Sequence, residues 1–314
     1  MRTGKLGNTD LELTVIGLGT WAIGGPWQFG WGPQDDADSI RTILAAVDAG
    51  INWIDTAPAY GCGHSEFVVG QALRETSEKP LIATKCSLLW NDKREKINCL
   101  DHDSIIKECE DSSKRLGVEV IDLYQMHWPV PDEKLEEGWG AMASLVQQGK
   151  VRYIGASNFS VEQLERAAKI HPVASLQPPY SMLRRNIEEQ LLPYCSENGI
   201  GVVAYSPMQK GLLTGKFSAE HMQTLAPDDH RQNDPMFHGE AFEKNLAIVE
   251  KLKLIAERNG KTVAQLAIAW TLWQEEVTAA IVGARKQSQI EETVYAGDWV
   301  LSEKDIKEIE MILS

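Results

Sequence analysis

Short β-rich apolar runs alternate along this chain with longer runs whose apolar residues recur at helical spacing. Eight candidate strands stand out: VIGLGTW (15–21), NWIDTA (52–57), LIATK (81–85), IDLYQMH (121–127), VRYIGAS (151–157), ASLQPP (174–179), GVVAYSP (201–207) and AAIVGA (279–284). An opening KLGNTDLEL reads as a β-hairpin with Gly-Asn at its turn. Helical periodicity marks 35–50, 102–117, 160–169, 242–260 and 302–313. Their ends are signposted. Gly50 and Gly117 stop the first two, and Lys114 and Arg115 suit the C-terminal end of the helix dipole. Ser160 and Ser302 are N-cap residues, with acids in the first turns behind them.

A β-then-α rhythm implies parallel strands, because each helix carries the chain back across the sheet. Eight such units predict an α/β protein, a closed (β/α)8 TIM barrel with an N-terminal hairpin and an extra C-terminal helix. The rival, a doubly wound open sheet, lacks its G-x-G-x-x-G fingerprint. GLGTWAIG puts Ala22 where the third glycine belongs. The strands are rich in Ile, Val and Ala, as strands buried on both faces require. No low-complexity tract or linker divides the chain, so residues 1–314 are expected to form a single domain.

Composition narrows the chemistry. A net charge of −14 argues against nucleic acid as a partner, which needs a basic surface. The cysteines, Cys62, Cys86, Cys99, Cys109 and Cys195, form neither a CxxC pair nor a zinc spacing, so no metal is expected. Their odd number and an N-terminus without an apolar signal core point to reduced thiols in the cytoplasm. No apolar run approaches the ~18 residues of a membrane span. A monomer or small homo-oligomer acting on a small molecule fits these bounds.

In such a barrel the chemistry sits where strands run into the following loops. Those ends carry Asp55, with Tyr60 five residues on, then Lys85, His127, Ser157 with Asn158, Gln177, Tyr205 with Ser206, and finally Gly283 to Lys286. Singly each has an ordinary reading: Asp55 as a turn residue, Lys85 as a surface lysine, Asn158 as a helix cap, Tyr205 as packing. Jointly they place an acid, a lysine and a histidine on three consecutive strand ends of one rim. Asp55 would supply the counter-charge that Lys85 needs. A tyrosine beside that ammonium would have its pKa drawn down from about 10, ready to protonate a carbonyl oxygen. His127 would hydrogen-bond the same oxygen. Side chains carry no hydride, so a cofactor must bring it. The loops after strands seven and eight, with Ser206, Lys210, Gly211, Leu212, Arg285 and Lys286, suit a pyrophosphate and a further phosphate. Tyr205 would stack on a nicotinamide ring.

Taken together, GLGTW (17–21), NWIDTAPAYGCGHSE (52–66), LIATK (81–85), IDLYQMHWP (121–129), VRYIGASNF (151–159), AYSPMQKGLLTGK (204–216) and IVGARKQSQIEET (281–293) resemble the aldo-keto reductase family over nearly the whole chain. The resemblance implies hydride transfer from NADPH to an aldehyde or ketone, or from the matching alcohol or polyol to NADP+. It places the catalytic tetrad on Asp55, Tyr60, Lys85 and His127. The carboxamide contacts fall on Ser157, Asn158 and Gln177, and the stacking ring on Tyr205. The adenosine-phosphate segment runs from Gly283 to Glu292 and takes in Gln289, with Arg285 as the 2′-phosphate ligand. GHSE (63–66), GLLTGK (211–216) and HRQNDPMF (230–237) are similar to the bacterial branch that includes inositol-operon and general-stress reductases. Gln289 and Thr293 depart from the Arg and Asn common at these positions, which loosens the expected NADPH selectivity.

Trp21, Trp27, Trp31, Trp90 and Trp128 cluster at strand ends and in the Gly-rich first loop. They are candidates to line an apolar substrate cleft or to stack on a sugar or cyclitol ring; a packed lid is the other reading. The long segment 208–239 is expected to fold over the cofactor. Two other functions compete: a lyase or aldolase using Lys85 as a Schiff base, and a nucleotide-sensing subunit without catalysis.

Overall fold

The computed structural model describes residues 1–314. The opening hairpin pairs β1 (Thr3–Lys5) antiparallel with β2 (Glu12–Thr14). β3 (Ile16–Gly19) then enters the barrel, followed by α1 (Asp36–Asp48), β4 (Trp53–Asp55), α2 (His64–Glu75) and β5 (Leu81–Cys86). A small antiparallel excursion, β6 (Leu88–Trp90) and β7 (Lys96–Asn98), precedes α3 (His102–Leu116). Next come β8 (Ile121–Met126), α4 (Leu135–Gln147), β9 (Val151–Ser157), α5 (Val161–Ala168), β10 (Ser175–Gln177), α6 (Leu191–Glu197) and β11 (Gly201–Tyr205). The chain ends with α7 (Ala219–Gln223), α8 (Gly239–Arg258), α9 (Val263–Thr271), β12 (Val277–Gly283), α10 (Gln287–Thr293) and α11 (Glu303–Leu313). β3, β4, β5, β8, β9, β10, β11 and β12 hydrogen-bond in that order, all parallel, and β12 closes back onto β3. This is the (β/α)8 barrel that the alternation predicts.

The hairpin has a mechanical task. Its Leu6, Leu11 and Leu13 pack on Trp53, Leu123 and Val203 and close the N-terminal mouth. Trp53 is buried, and its indole N–H donates to the Thr14 carbonyl at 2.9 Å. A Cβ on Gly17 would stand 2.1 Å from that indole, so glycine is what lets the ring fill the barrel floor. The polar ends of the strands are thereby left to the opposite rim.

Capping agrees with the sequence signals. Asp35 caps α1, Ser160 forms a capping box with Gln163, and Gly117 ends α3 in the left-handed conformation. The sequence period marks five of the eleven helices, and of the other six α9 is the plainest case. All its residues from Val263 to Thr271 are buried, so no polar stripe marks a face. The segment 208–239 folds as one-turn helices and α7 rather than as an open loop. No helix is long and apolar enough to cross a membrane.

Candidate active site

β4 and β5 deliver Asp55 and Lys85 to the same rim in neighbouring positions. Lys85 is wholly buried and donates to Asp55 Oδ1 at 2.6 Å, to the Thr56 carbonyl at 2.9 Å and to the Tyr60 hydroxyl at 3.3 Å. Tyr60 sits in a tight turn whose next residue, Gly61, lies against Gly24 of the first loop. A Cβ on Gly61 (φ 66°) would meet the Gly24 carbonyl at 1.8 Å. The other Asp55 oxygen accepts from Gln177 Nε2 at 2.8 Å and from Gln125 Nε2 at 3.1 Å. Gln177 Nε2 also donates to Gln125 Oε1 at 3.0 Å. Both Gln177 N–H groups therefore point into the barrel, and its Oε1 remains the free acceptor at the cleft.

Tyr60 behaves differently from the expectation that its phenolate is favoured. Burial pushes its pKa well above the usual phenol value, and Asp55 adds to the rise. The ammonium is already matched by Asp55, so the phenol keeps its proton and is a donor at neutral pH. Burial lowers the Lys85 pKa, while Asp55, by charge and hydrogen bond, opposes the fall. His127 sits edge-on to Tyr60, ring centres 5.9 Å apart. Burial, then the Lys85 charge, keeps its pKa well below that of ordinary imidazole, so the ring is neutral. Its Nδ1 is buried without a partner, an unmet group beside the acid.

Asn158 has its amide engaged within the protein. At φ 61° it donates to the His127 carbonyl at 3.1 Å and to Ser157 Oγ at 3.0 Å, and it accepts from the Tyr205 hydroxyl at 2.9 Å. It ties three strand ends together, and its Oδ1, which accepts from Tyr205, keeps a second lone pair. Ser157 Oγ in turn donates to the Gln177 carbonyl at 3.0 Å. Beyond Tyr205 the backbone runs left-handed at Ser206, Gln209, Lys210 and Gly211. Leu212 is buried against Phe237 and Phe242 and anchors this segment from below. Most rim cations are paired: Lys210 with Asp234 at 2.7 Å, Lys216 with Glu292 at 2.8 Å, and Arg231 with Asp229 at 2.6 Å. Gly283 ends β12, and Gln289 Oε1 accepts from the backbone N–H of Arg285 and of Lys286.

The first loop and segment 208–239 meet over the rim. The His230 N–H donates to the Gly30 carbonyl at 3.3 Å, and the Arg231 guanidinium lies 4.4 Å over the Trp31 ring. Trp21 stacks 6.4 Å from Tyr60, 4.7 Å from His230 and 5.2 Å from Trp31. Trp21 thus stands at the tetrad, with Trp31 behind it. Trp27 is buried under the loop with Ala59 and Leu88, its N–H on the Arg94 carbonyl, so its place is structural packing. Trp90 is half-buried on β6 and Trp128 is exposed past β8; neither ring contacts the tetrad's aromatics. Sequence reading missed Gln34, Gln125, His230 and Arg231. Only Gln125 left a usable signal, a glutamine inside a buried apolar strand, directly opposite Lys85 in register.

The aldo/keto reductase family model matches residues 15–314. The chain belongs to the aldo/keto reductase family. It is 42% identical over 312 residues to the aldo-keto reductase YhdN of Bacillus subtilis (strain 168), with 98% of this chain and 92% of that one covered. It is 37% identical over 320 residues to the NADH-specific methylglyoxal reductase of Escherichia coli (strain K12), covering 97% and 96%. The solved glycerol dehydrogenase AKR11B4 from Gluconobacter oxydans superposes with a TM-score of 0.90 at 41% identity, over 99% of this chain and 94% of that one. This aldo/keto reductase is an oxidoreductase of carbonyl groups and the matching alcohols, working with a nicotinamide cofactor.

Proposed function

We propose that this aldo/keto reductase reduces small aldehydes and ketones, or oxidises the matching polyols, with NADPH as its preferred cofactor, in the cytoplasm. The supporting observation is the buried Asp55–Lys85 pair bonded to the half-buried Tyr60, with neutral His127 at its edge. The hydride taken up by the carbonyl carbon would come from a nicotinamide cofactor held along this rim. Tyr60 gives its proton to the carbonyl oxygen as charge builds there. Lys85, neutralised by Asp55, faces the phenolate left behind and stabilises it. His127 orients the oxygen through a hydrogen bond from its ring N–H. Gln177 Oε1 would accept from the cofactor's carboxamide and Tyr205 would hold its ring. The unmet His127 Nδ1 and the unpaired charges of Arg285 and Lys286 fit a polar, phosphate-bearing ligand along this rim.

A second cofactor reading, NADH, draws on the relative named as NADH-specific. Absorbance of NADPH and of NADH, each with a panel of simple aldehydes, α-oxoaldehydes, ketosugars and hydroxyketones, separates the two. Oxidation of NADPH at higher kcat/KM than NADH supports the proposal. Turnover with NADH alone transfers the reading to that cofactor, and failure to bind or oxidise either one defeats it. The Schiff-base alternative has no support in the geometry, because Lys85 is fully engaged with Asp55, Thr56 and Tyr60.

A further inference from the structure

Arg285 differs from most cations around it, and unlike its exposed neighbour Lys286, which also lacks a carboxylate partner, it is half-buried. Lys210, Lys216 and Arg231 each have a carboxylate partner. Arg285 is held only by neutral acceptors of the first loop. Its Nε–H donates to Gln34 Oε1 at 2.7 Å, one terminal nitrogen donates to the Trp31 carbonyl at 3.1 Å, and the other donates to the Pro33 carbonyl. Gln34 answers with an N–H to the Arg285 carbonyl at 3.0 Å. Asp229 acts on Arg285 only at longer range and is itself bonded to Arg231. The result is a half-buried guanidinium whose orientation is fixed and whose charge is not neutralised. Three of its five N–H groups are used, which leaves two on the terminal nitrogens. A cation in that condition is a preformed anion receptor.

We infer that Gln34 is a positioning residue for cofactor discrimination: by clamping Arg285 it sets the guanidinium to receive the 2′-phosphate that distinguishes NADPH from NADH. This rests on the reading that Arg285 meets that phosphate. The clamp also makes the seating of the first loop part of phosphate recognition, because Trp31 and Pro33 contribute carbonyls to it.

The test is calorimetric titration of the full-length protein with NADPH and with NADH, for the wild type, Gln34→Ala, Arg285→Ala and the double variant. Arg285→Ala is expected to weaken NADPH on the order of 10- to 100-fold and to leave NADH nearly unchanged, as loss of a charged hydrogen-bond partner implies. Gln34→Ala is expected to weaken NADPH alone by about two- to tenfold, the scale of one side chain's lost preorganisation. The double variant should match Arg285→Ala, since Gln34 acts through that side chain. Gln34→Glu should weaken NADPH more than Gln34→Ala, because it keeps an acceptor while neutralising the charge.

Three outcomes overturn the inference: equal loss of NADPH and NADH in Gln34→Ala, a Gln34→Ala effect that persists at full size without Arg285, or tighter NADPH binding in Gln34→Ala. The last would mean that the loop sequesters Arg285 from the phosphate. An unchanged NADPH-to-NADH ratio in Arg285→Ala defeats the phosphate reading itself, and the role of Gln34 falls with it.

Discussion

Replacing Lys85 with Met separates two roles of one buried ion pair. The Lys85 side chain is 0% exposed and that of Asp55 3%, at a separation of 2.6 Å. Removing the ammonium leaves a buried carboxylate without a counter-charge, which costs about 3–5 kcal/mol where it has been measured. Asp55 would keep its bonds from Gln125 and Gln177, so the lower end of that range, about 3 kcal/mol, is expected. Urea unfolding followed by tryptophan fluorescence measures the loss. Lys85→Met with Asp55→Leu should cost less than the sum of the two single changes by about 2 kcal/mol, because the double variant contains no unmatched charge. A Lys85→Met loss under about 1 kcal/mol, or strict additivity in the double variant, would show that the two groups do not compensate one another. In either case the account of why Tyr60 keeps its proton would have to be abandoned. Turnover should collapse in Lys85→Met even under conditions where it is fully folded.

Tyr60→Phe should lower kcat by about 10²–10⁴-fold with the cofactor Kd near wild type, since the phenol acts in the transition state; near-normal turnover would assign the proton to another group. Reduction should be insensitive to pH from about 6 to about 8, because burial raises the Tyr60 pKa and lowers that of His127, which leaves a protonated phenol and a neutral imidazole across that window. As pH rises further, Lys85, with its pKa lowered by burial, loses its proton and the rate falls. An acid limb near pH 6.5 in kcat/KM would mean that His127 titrates as an ordinary imidazole. Trp31→Ala removes the ring beneath Arg231 and beside His230, so cofactor affinity should drop by up to about tenfold while the barrel's unfolding transition stays in place; unaltered affinity would mean that segment 208–239 does not act as a clasp.

By itself the sequence determined the architecture. Strand and helix periods are local properties, and eight alternating units have one economical closure, so the barrel, its hairpin and its capped helices were legible from residue order. The tetrad candidates were legible for the same reason, because strand ends in a barrel share a rim and Asp55, Lys85 and His127 end successive strands. Tertiary structure alone decided the electrostatics and the wiring. The rise in the Tyr60 pKa comes from burial and from the nearby Asp55 charge, and no spacing in the chain encodes that balance. That Asn158 is wired to His127, Ser157 and Tyr205 is likewise visible only in the folded chain. Gln34 and Arg285 lie 251 positions apart and meet only because β12 closes onto β3, which brings the last strand's loop against the first. Hydrogen-bond partners of polar side chains are set by which loops face one another, and that follows from closure of the barrel rather than from any local pattern.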